Sequence, residues 1–265
     1  MLEGILEAAK TTPGVSCELL HVDEAESIDS VVGRISSFDG TILIGTPRSH
    51  VVQALIVSDV AMVMANLHVT GIDVDCVVSD DFDGGRQLGR YLLNKGFRRI
   101  GWISLPDDYP GFGPSWGSRI AGLRSELAKD QILAKPSDIW LLDRPDVQSY
   151  REVCEKWIKT GDIPEVVVTP YCLIAFIFLR VASEAGLRCP SDFGIATFDR
   201  DTYADLWSFP LTLMETQPRE IGRRSLGRLV ARLRHPGEVN DGIWKVVVPV
   251  NLVEGGSLPE RSRGD

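Results

Sequence analysis

Short apolar runs alternate with segments of helical periodicity along almost the whole chain, and this alternation is the strongest limit on its fold. The runs are rich in Val, Ile and Leu, which is typical of strands buried on both faces of a parallel sheet. The predicted strands are Cys17–Val22, Thr41–Gly45, Ala61–Ala65, Val74–Ser79, Ile100–Ser104, Trp140–Leu142, Val166–Thr169, Ile195–Phe198 and Trp244–Val248. Helical periodicity between them predicts an α/β fold of doubly wound parallel sheets.

The segment 192–222 carries the most specific pattern. The apolar run Ile195–Phe198 ends on the acidic residue Asp199, and Pro210-Leu211-Thr212 and Gln217-Pro218 follow. In open α/β sheets, ligands bind just outside the carboxyl ends of the strands. The sequence therefore predicts that Asp199 lies at a ligand site.

Four segments of the chain resemble the effector-binding core of the lac repressor/gal repressor family, whose fold is that of the periplasmic sugar-binding proteins. The family's P-x-D-I-x-V-x-G-F-D, P-L-T and Q-P-x-x-x-x-G are similar to 190–222. Its D-N-x-x-G-G and x-G-H-R-x-I are similar to 80–85 and 95–100, and its L-V-x-R-x-S is similar to 252–257. The resemblance covers nearly the whole chain in the same order and spacing.

The resemblance implies two subdomains with a ligand cleft between them, as in periplasmic binding proteins of type I. The N-terminal subdomain is expected at 1–79 plus 214–247, and the C-terminal subdomain at 80–213 plus 248–258, followed by a disordered tail at 259–265. In the family, a first strand precedes the helix that matches Leu2–Lys10. This chain has no such strand, so we expect an unfilled position between the strands near Cys17–Val22 and Ile42–Gly45.

The resemblance also implies the function. It predicts the ligand-sensing domain of a bacterial transcriptional regulator, which binds a small, sugar-like effector and thereby controls DNA binding allosterically. A cytoplasmic homodimer is expected, and operator DNA would be reached only through an N-terminal helix-turn-helix that this chain lacks. The alternative is a solute-binding protein of a transport system. That class needs an export signal, and none is visible at the amino terminus.

Arg119 and Asp199 are the first two candidate ligand-binding residues. Arg119 matches the arginine of the family's R-x-x-G-F, and a guanidinium offers five donors in a fixed fork for vicinal hydroxyls or a carboxylate. Its structural alternative is a salt bridge at the start of a helix. Asp199 matches the family's strand-end aspartate and accepts two hydrogen bonds at once. Its alternative is a cap for the loop that begins at Arg200. We expect the two side chains to face each other across the ligand.

Aromatic residues are the other candidates for ligand contact. The loop 107–116 contains Tyr109, Phe112 and Trp116, whose ring faces suit the apolar faces of pyranoses, although the loop could instead pack on itself. Tyr171 stands where the family commonly has N-D-x-x-A, so the usual amide and carboxylate are absent. Either Tyr171 stacks on a different ligand, or effector binding has been lost.

Composition excludes several other functions. The net charge of −9 and the lack of a long Lys/Arg run argue against direct DNA binding by this chain. The chain contains no P-loop, no G-x-S-x-G and no H-E-x-x-H, so neither an enzyme nor a cofactor is predicted. Its four histidines are far apart and predict no metal site, and no apolar run is long enough to span a membrane. The five scattered cysteines indicate reduced thiols.

Overall fold

A computed structural model describes residues 1–23, 26–45, 49–58, 60–67, 71–106, 115–201, 208–235 and 242–260. The helices are α1 (Leu2–Thr11), α2 (Ile28–Ile35), α3 (Ser49–Val57), α4 (Asp81–Asn94), α5 (Ser115–Lys129), α6 (Val147–Thr160), α7 (Cys172–Glu184) and α8 (Pro218–Arg234). The strands are β1 (Gly40–Ile44), β2 (Ala61–Ala65), β3 (Asp75–Ser79), β4 (Ile100–Ser104), β5 (Ile139–Leu141), β6 (Val166–Val168), β7 (Gly194–Phe198), β8 (Thr212–Glu215), β9 (Lys245–Val248) and β10 (Asn251–Val253).

The chain forms two compact units. Within the described ranges, the first unit takes Met1–Ser79 and Gln217–Pro249, and the second takes the rest, from Asp80 to Thr216 and from Val250 onwards. The chain therefore passes between the units at three places. The sequence-based division differs from this one at residues 214–216 and 248–249. Part of the predicted tail, 261–265, lies outside the described residues.

The first unit is built on a parallel sheet in the order β1-β2-β3-β9. Alternate residues of β2 point to opposite faces, as the twofold period of a strand requires. Met62 and Met64 pack with residues of α2 and α3, while Val63 and Ala65 pack with residues of α8. Each face of this sheet is thus covered by helices, which confirms the predicted α/β architecture.

The second unit is built on a sheet in the order β10-β8-β7-β6-β4-β5, in which only β10 is antiparallel to its neighbour. On one face, Trp157 of α6 and Phe178 of α7 pack with Ile103 and Ile195. On the other face, Leu88 of α4 and Leu123 of α5 belong to the cluster that contains Phe198 and Met214. The carboxyl ends of β4, β6 and β7 lie at one edge of this sheet, where the candidate site residues follow them.

The predicted strand at Cys17–Val22 is wrong. Residues 15–23 have no regular structure and are mostly exposed, with Leu19 67% exposed. A strand needs a hydrogen-bonded neighbour, and in the described part of the chain β1 pairs only with β2. Instead of a gap between two strands, the sheet has an edge at β1. Among the described helices, none combines the length and the apolar character needed to cross a membrane.

Candidate functional site

Arg119 is the centre of a buried polar network in the second unit. Its Nε donates to Asp81 Oδ1 at 2.8 Å, and its Nη1 donates to Asp199 Oδ2 at 2.8 Å and to the Pro170 carbonyl oxygen at 2.7 Å. Its side chain is only 3% exposed, and its guanidinium lies over the ring of Phe198, 4.9 Å from the centroid. Burial alone lowers the pKa of Arg119, but the carboxylates of Asp199 and Asp81 more than offset this and raise it. The guanidinium is therefore a fixed cation.

Asp199 follows β7 directly and has a left-handed backbone conformation, with φ at +61°. Aspartate tolerates this region because its short side chain can hydrogen-bond locally. Its backbone N–H donates to the Met214 carbonyl oxygen at 2.9 Å, and Thr216 Oγ1 donates to Asp199 Oδ1 at 2.7 Å. The side chain remains 37% exposed. Asp199 is thus held from behind while part of its carboxylate faces outward.

Arg119 and Asp199 touch each other directly. The expectation that they face each other across a ligand is therefore wrong, because an ion pair of 2.8 Å leaves no space between the two side chains. The physical reason is charge: a buried guanidinium needs a carboxylate in contact with it. A ligand at this site would meet the outer face of Asp199 rather than the donor fork of Arg119.

Asp81 is a member of the network that the sequence did not single out. The cluster around Asp80 was interpreted as the start of a helix, and Asp80 does cap α4, since its Oδ1 accepts from the Asp83 N–H at 3.1 Å. Asp81 has a second role, as the acceptor for Arg119. This pairing depends on the close crossing of α4 and α5. The only signal for it in the sequence is small residues on both helices, Gly85 and Gly122.

Trp116 and Tyr171 form an aromatic group beside the network. Their ring centroids are 5.3 Å apart, and Tyr171 lies edge-on to Tyr150 at 6.0 Å. Burial raises the pKa of Tyr171, and a side-chain hydrogen bond with Tyr150 raises it further, so the phenol stays protonated. Tyr171 directly follows Pro170, whose carbonyl oxygen accepts from Arg119. The other two candidates, Tyr109 and Phe112, lie outside the described residues.

Cys172 supports the backbone of Asp199 rather than reacting with a substrate. Its Sγ donates to the Asp199 carbonyl oxygen at 2.7 Å. Burial raises the pKa of the Cys172 thiol to about 11, so it is a neutral donor and not a thiolate nucleophile at neutral pH. Within the described ranges, no group of three or more His, Cys, Asp or Glu side chains could hold a metal ion. The site is therefore suited to binding a polar molecule through Asp199.

Comparisons with known proteins agree with this fold. The HTH-type transcriptional repressor PurR of Salmonella arizonae is 27% identical over 171 residues, which make up 64% of this chain and 48% of that repressor. The chain thus spans about half the length of the curated relatives it matches. A transcription regulator from Lactobacillus plantarum has a TM-score of 0.83 at 21% identity, over 98% of this chain and 95% of that one. A LacI family transcriptional regulator from Enterococcus faecium with bound ribose has a TM-score of 0.80 at 21% identity, over 98% and 93% of the two chains.

A family model provides the assignment itself. The model of the periplasmic binding protein-like domain matches residues 90–258, which is more than half of the chain. The matched part begins inside α4 and ends after β10, so it contains the Arg119–Asp199 pair. The chain therefore belongs to the periplasmic binding protein-like domain family, and its predicted resemblance to the effector-binding cores of lac repressor/gal repressor regulators is confirmed.

Proposed function

We propose that this chain is the effector-binding part of a transcriptional regulator, and that its effector is a small, hydroxyl-rich, sugar-like molecule. The single observation that carries the proposal is the partly exposed Asp199 carboxylate, held by Arg119 and Thr216 at the carboxyl end of β7. This is the edge of an α/β sheet at which ligands bind. A carboxylate fixed in this way accepts hydrogen bonds from neighbouring hydroxyls without losing further side-chain entropy.

The aromatic group beside Asp199 supports the choice of a sugar-like ring. Trp116 and Tyr171 present ring faces that can cover the apolar C–H face of a pyranose, and a tyrosine also offers a polar tip. Tyr109 and Phe112 are proposed to extend this surface. Arg119 is proposed to act as the partner that orients Asp199, because most of its donors already have acceptors.

The effector would regulate DNA binding by shifting a conformational equilibrium. A ligand can do this only when it binds one conformation more tightly than the other. We propose that the complete protein is a cytoplasmic homodimer that reaches operator DNA through an N-terminal helix-turn-helix. The net charge of −9 supports a division of labour, because DNA binding by this part of the protein would need a basic surface. We expect no operator binding by the isolated chain.

Two other classes of function are less well supported. A solute-binding protein of a transport system would use the same fold, but the matched curated relatives are repressors. An enzyme would need an activated nucleophile, an acid–base pair or a metal, and Cys172 is protonated while Asp199 is bound to a cation. We therefore propose a binding domain without enzymatic activity.

Calorimetric titration of the purified chain against a panel of neutral monosaccharides and disaccharides tests the proposal. We expect saturable binding of at least one sugar, and a loss of about 1–3 kcal/mol of binding free energy on Asp199→Ala, because a buried ligand hydroxyl loses its acceptor. Asp162→Ala is the matched control. Asp162 pairs with Arg99 at 2.6 Å, just before β4, at the opposite end of the same sheet.

Two outcomes would contradict the proposal. The first is that no sugar binds the folded chain. The second is that Asp199→Ala and Asp162→Ala have the same effect on the affinity, which would mean that the pair at Asp199 is only structural. A gel-shift assay with operator-like DNA is a separate arm, and a salt-sensitive, sequence-specific shift by the isolated chain would contradict the division of labour.

A further inference from the structure

The buried network around Arg119 carries an excess of negative charge. Arg119 is one cation, and both Asp81 and Asp199 contact it at 2.8 Å. Counted together, one guanidinium and two carboxylates have a formal charge of −1. Because Arg119 is fully buried and Asp199 is partly exposed, a ligand approaching this group meets a carboxylate before it meets the cation.

The hydrogen-bond inventory leads to the same result. A guanidinium has five N–H donors. Arg119 uses Nε for Asp81, Nη1 for Asp199 and the Pro170 carbonyl, and Nη2 for Asp199 Oδ1 at 3.4 Å. At most one N–H is therefore left for a ligand. Asp199 receives Arg119 and Thr216, and its outer face can still accept. The site accepts hydrogen bonds from a ligand far better than it donates them.

The surrounding segments contain no cation that could reverse this balance. Among the described residues that follow β4, β5, β6 and β7, the only basic ones are Arg144 and Arg200. Arg144 is paired with Asp146 at 3.2 Å, and Arg200 is paired with Glu215 at 2.8 Å. The faces of the aromatic rings add a negative quadrupole, which attracts cations and repels anions.

We infer that this site selects its effector by charge: it takes a neutral or amine-bearing ring that donates hydrogen bonds, and it rejects the phosphorylated or carboxylate form of the same ring. The inference rests on the proposed function, since it specifies the ligand class of the proposed effector site. A phosphate or carboxylate near Asp199 meets like charge in a partly desolvated position, where the interaction is stronger than in water. An ammonium group meets an acceptor.

Matched ligands that differ only in charge provide the test. Suitable series are glucose, glucosamine, glucose 6-phosphate and glucuronic acid, the corresponding galactose compounds, and ribose with ribose 5-phosphate. Calorimetry at pH 7 is expected to give a Kd about tenfold or more higher for the phosphate or uronate than for the neutral ring, since each tenfold step corresponds to a modest electrostatic free energy. The amine is expected to bind as tightly as the neutral ring or more tightly.

Asp81→Asn tests which residue sets the preference. The asparagine can keep an oxygen acceptor for Arg119 Nε while it removes one negative charge, so the network becomes neutral. We expect the ratio of the Kd values for the phosphate and the neutral ring to fall severalfold. A merely structural role for Asp81 would weaken both ligands alike and leave the ratio unchanged. Asp162→Asn makes the same charge change at the opposite end of the sheet and should leave the ratio as it is.

Added salt provides a measurement that needs no variant. In the wild-type chain, the ratio is expected to narrow between about 0.05 M and 0.5 M NaCl, because salt screens repulsion between partly exposed charges. Equal or tighter binding of the phosphate or uronate would overturn the inference while leaving the proposed function in place. Failure of every ring series to bind the folded chain would instead overturn the proposed function, and the inference with it.

Discussion

Gly85 lies directly against Arg119: a Cβ atom on Gly85 would be 2.0 Å from the Arg119 carbonyl oxygen. The contact is reciprocal, since a Cβ atom on Gly122 would be 1.9 Å from the Phe82 carbonyl oxygen. Helices α4 and α5 therefore cross with their backbones in contact. This crossing brings Asp81 at the start of α4 within hydrogen-bond distance of Arg119 on α5. The geometry of the candidate site depends on two glycines that make no polar contact with it.

Gly85→Ala is expected to destabilise the fold by about 1–3 kcal/mol, because the new methyl group must push two backbones apart. Urea denaturation measures this as a lower midpoint at an unchanged slope. Gly117→Ala is the matched control within α5, since a Cβ atom on Gly117 has nothing within 4 Å. The control should be neutral or up to about 1 kcal/mol more stable, as alanine is the better helix former. Equal stability of the two variants would contradict the account of the helix crossing.

Arg119→Leu is expected to lower the free energy of unfolding by about 3–5 kcal/mol, because it leaves Asp81 and Asp199 without their shared cation. In the variant, burial and mutual repulsion raise the pKa of these carboxyl groups in the folded state. A raised carboxyl pKa favours folding as the pH falls toward it, so the deficit should be smaller at pH 5 than at pH 7.5.

Denaturation of the Arg119→Leu variant and the wild type at both pH values tests this sign. The control is Arg151→Leu, which removes an exposed arginine that is paired with Glu155 and Glu184 on the surface. Such pairs contribute little, so the control should cost less than about 1 kcal/mol at either pH. A deficit for Arg119→Leu that grows toward pH 5 would contradict the assigned network.

Local patterns predicted the elements well and the network poorly. The strands β2, β4 and β7 were predicted because buried parallel strands are continuous apolar runs, and Gly96 and Gly186 have the positive φ expected at helix ends. The strand at Cys17–Val22 failed because periodicity does not say whether a neighbouring strand is present to pair with it. The short antiparallel strand β10 was not predicted, as its three residues carry no periodic signal.

The candidate site shows the same limit. Asp199 and Arg119 were identified as site residues, but their direct contact joins positions 80 residues apart in the chain. Nothing in the local sequence says how many acceptors Arg119 would meet. Its donors are occupied because Asp81, Pro170 and Asp199 converge on it from three segments, and that convergence is a property of the packed helices and strands.

Asp75 is expected to be the most sensitive polar residue of the first unit. Its buried carboxylate accepts from Arg228 Nε and from the Trp244 backbone N–H, and Arg232 lies 2.7 Å away. Asp75→Ala leaves two arginines without their common partner and should cost about 3–5 kcal/mol of unfolding free energy. Asp73→Ala, two residues earlier at an exposed position, should stay within about 0.5 kcal/mol of the wild type. A small effect at Asp75 would show that Arg228, stacked 4.1 Å from the Trp244 ring centroid, is held by the ring alone.

The edge of the first sheet at β1 is expected to promote self-association. In the described part of the chain β1 pairs only with β2, and Ile44 at its end is 41% exposed. An unpaired edge with an exposed apolar residue is a template for another strand, and a lysine on the edge opposes such pairing. Ile44→Lys should therefore slow the growth of light scattering on incubation at moderate temperature. Val57→Lys, which adds the same charge at an 86% exposed position on α3, is the control. If both lysines suppress scattering equally, net charge rather than the β1 edge governs the association.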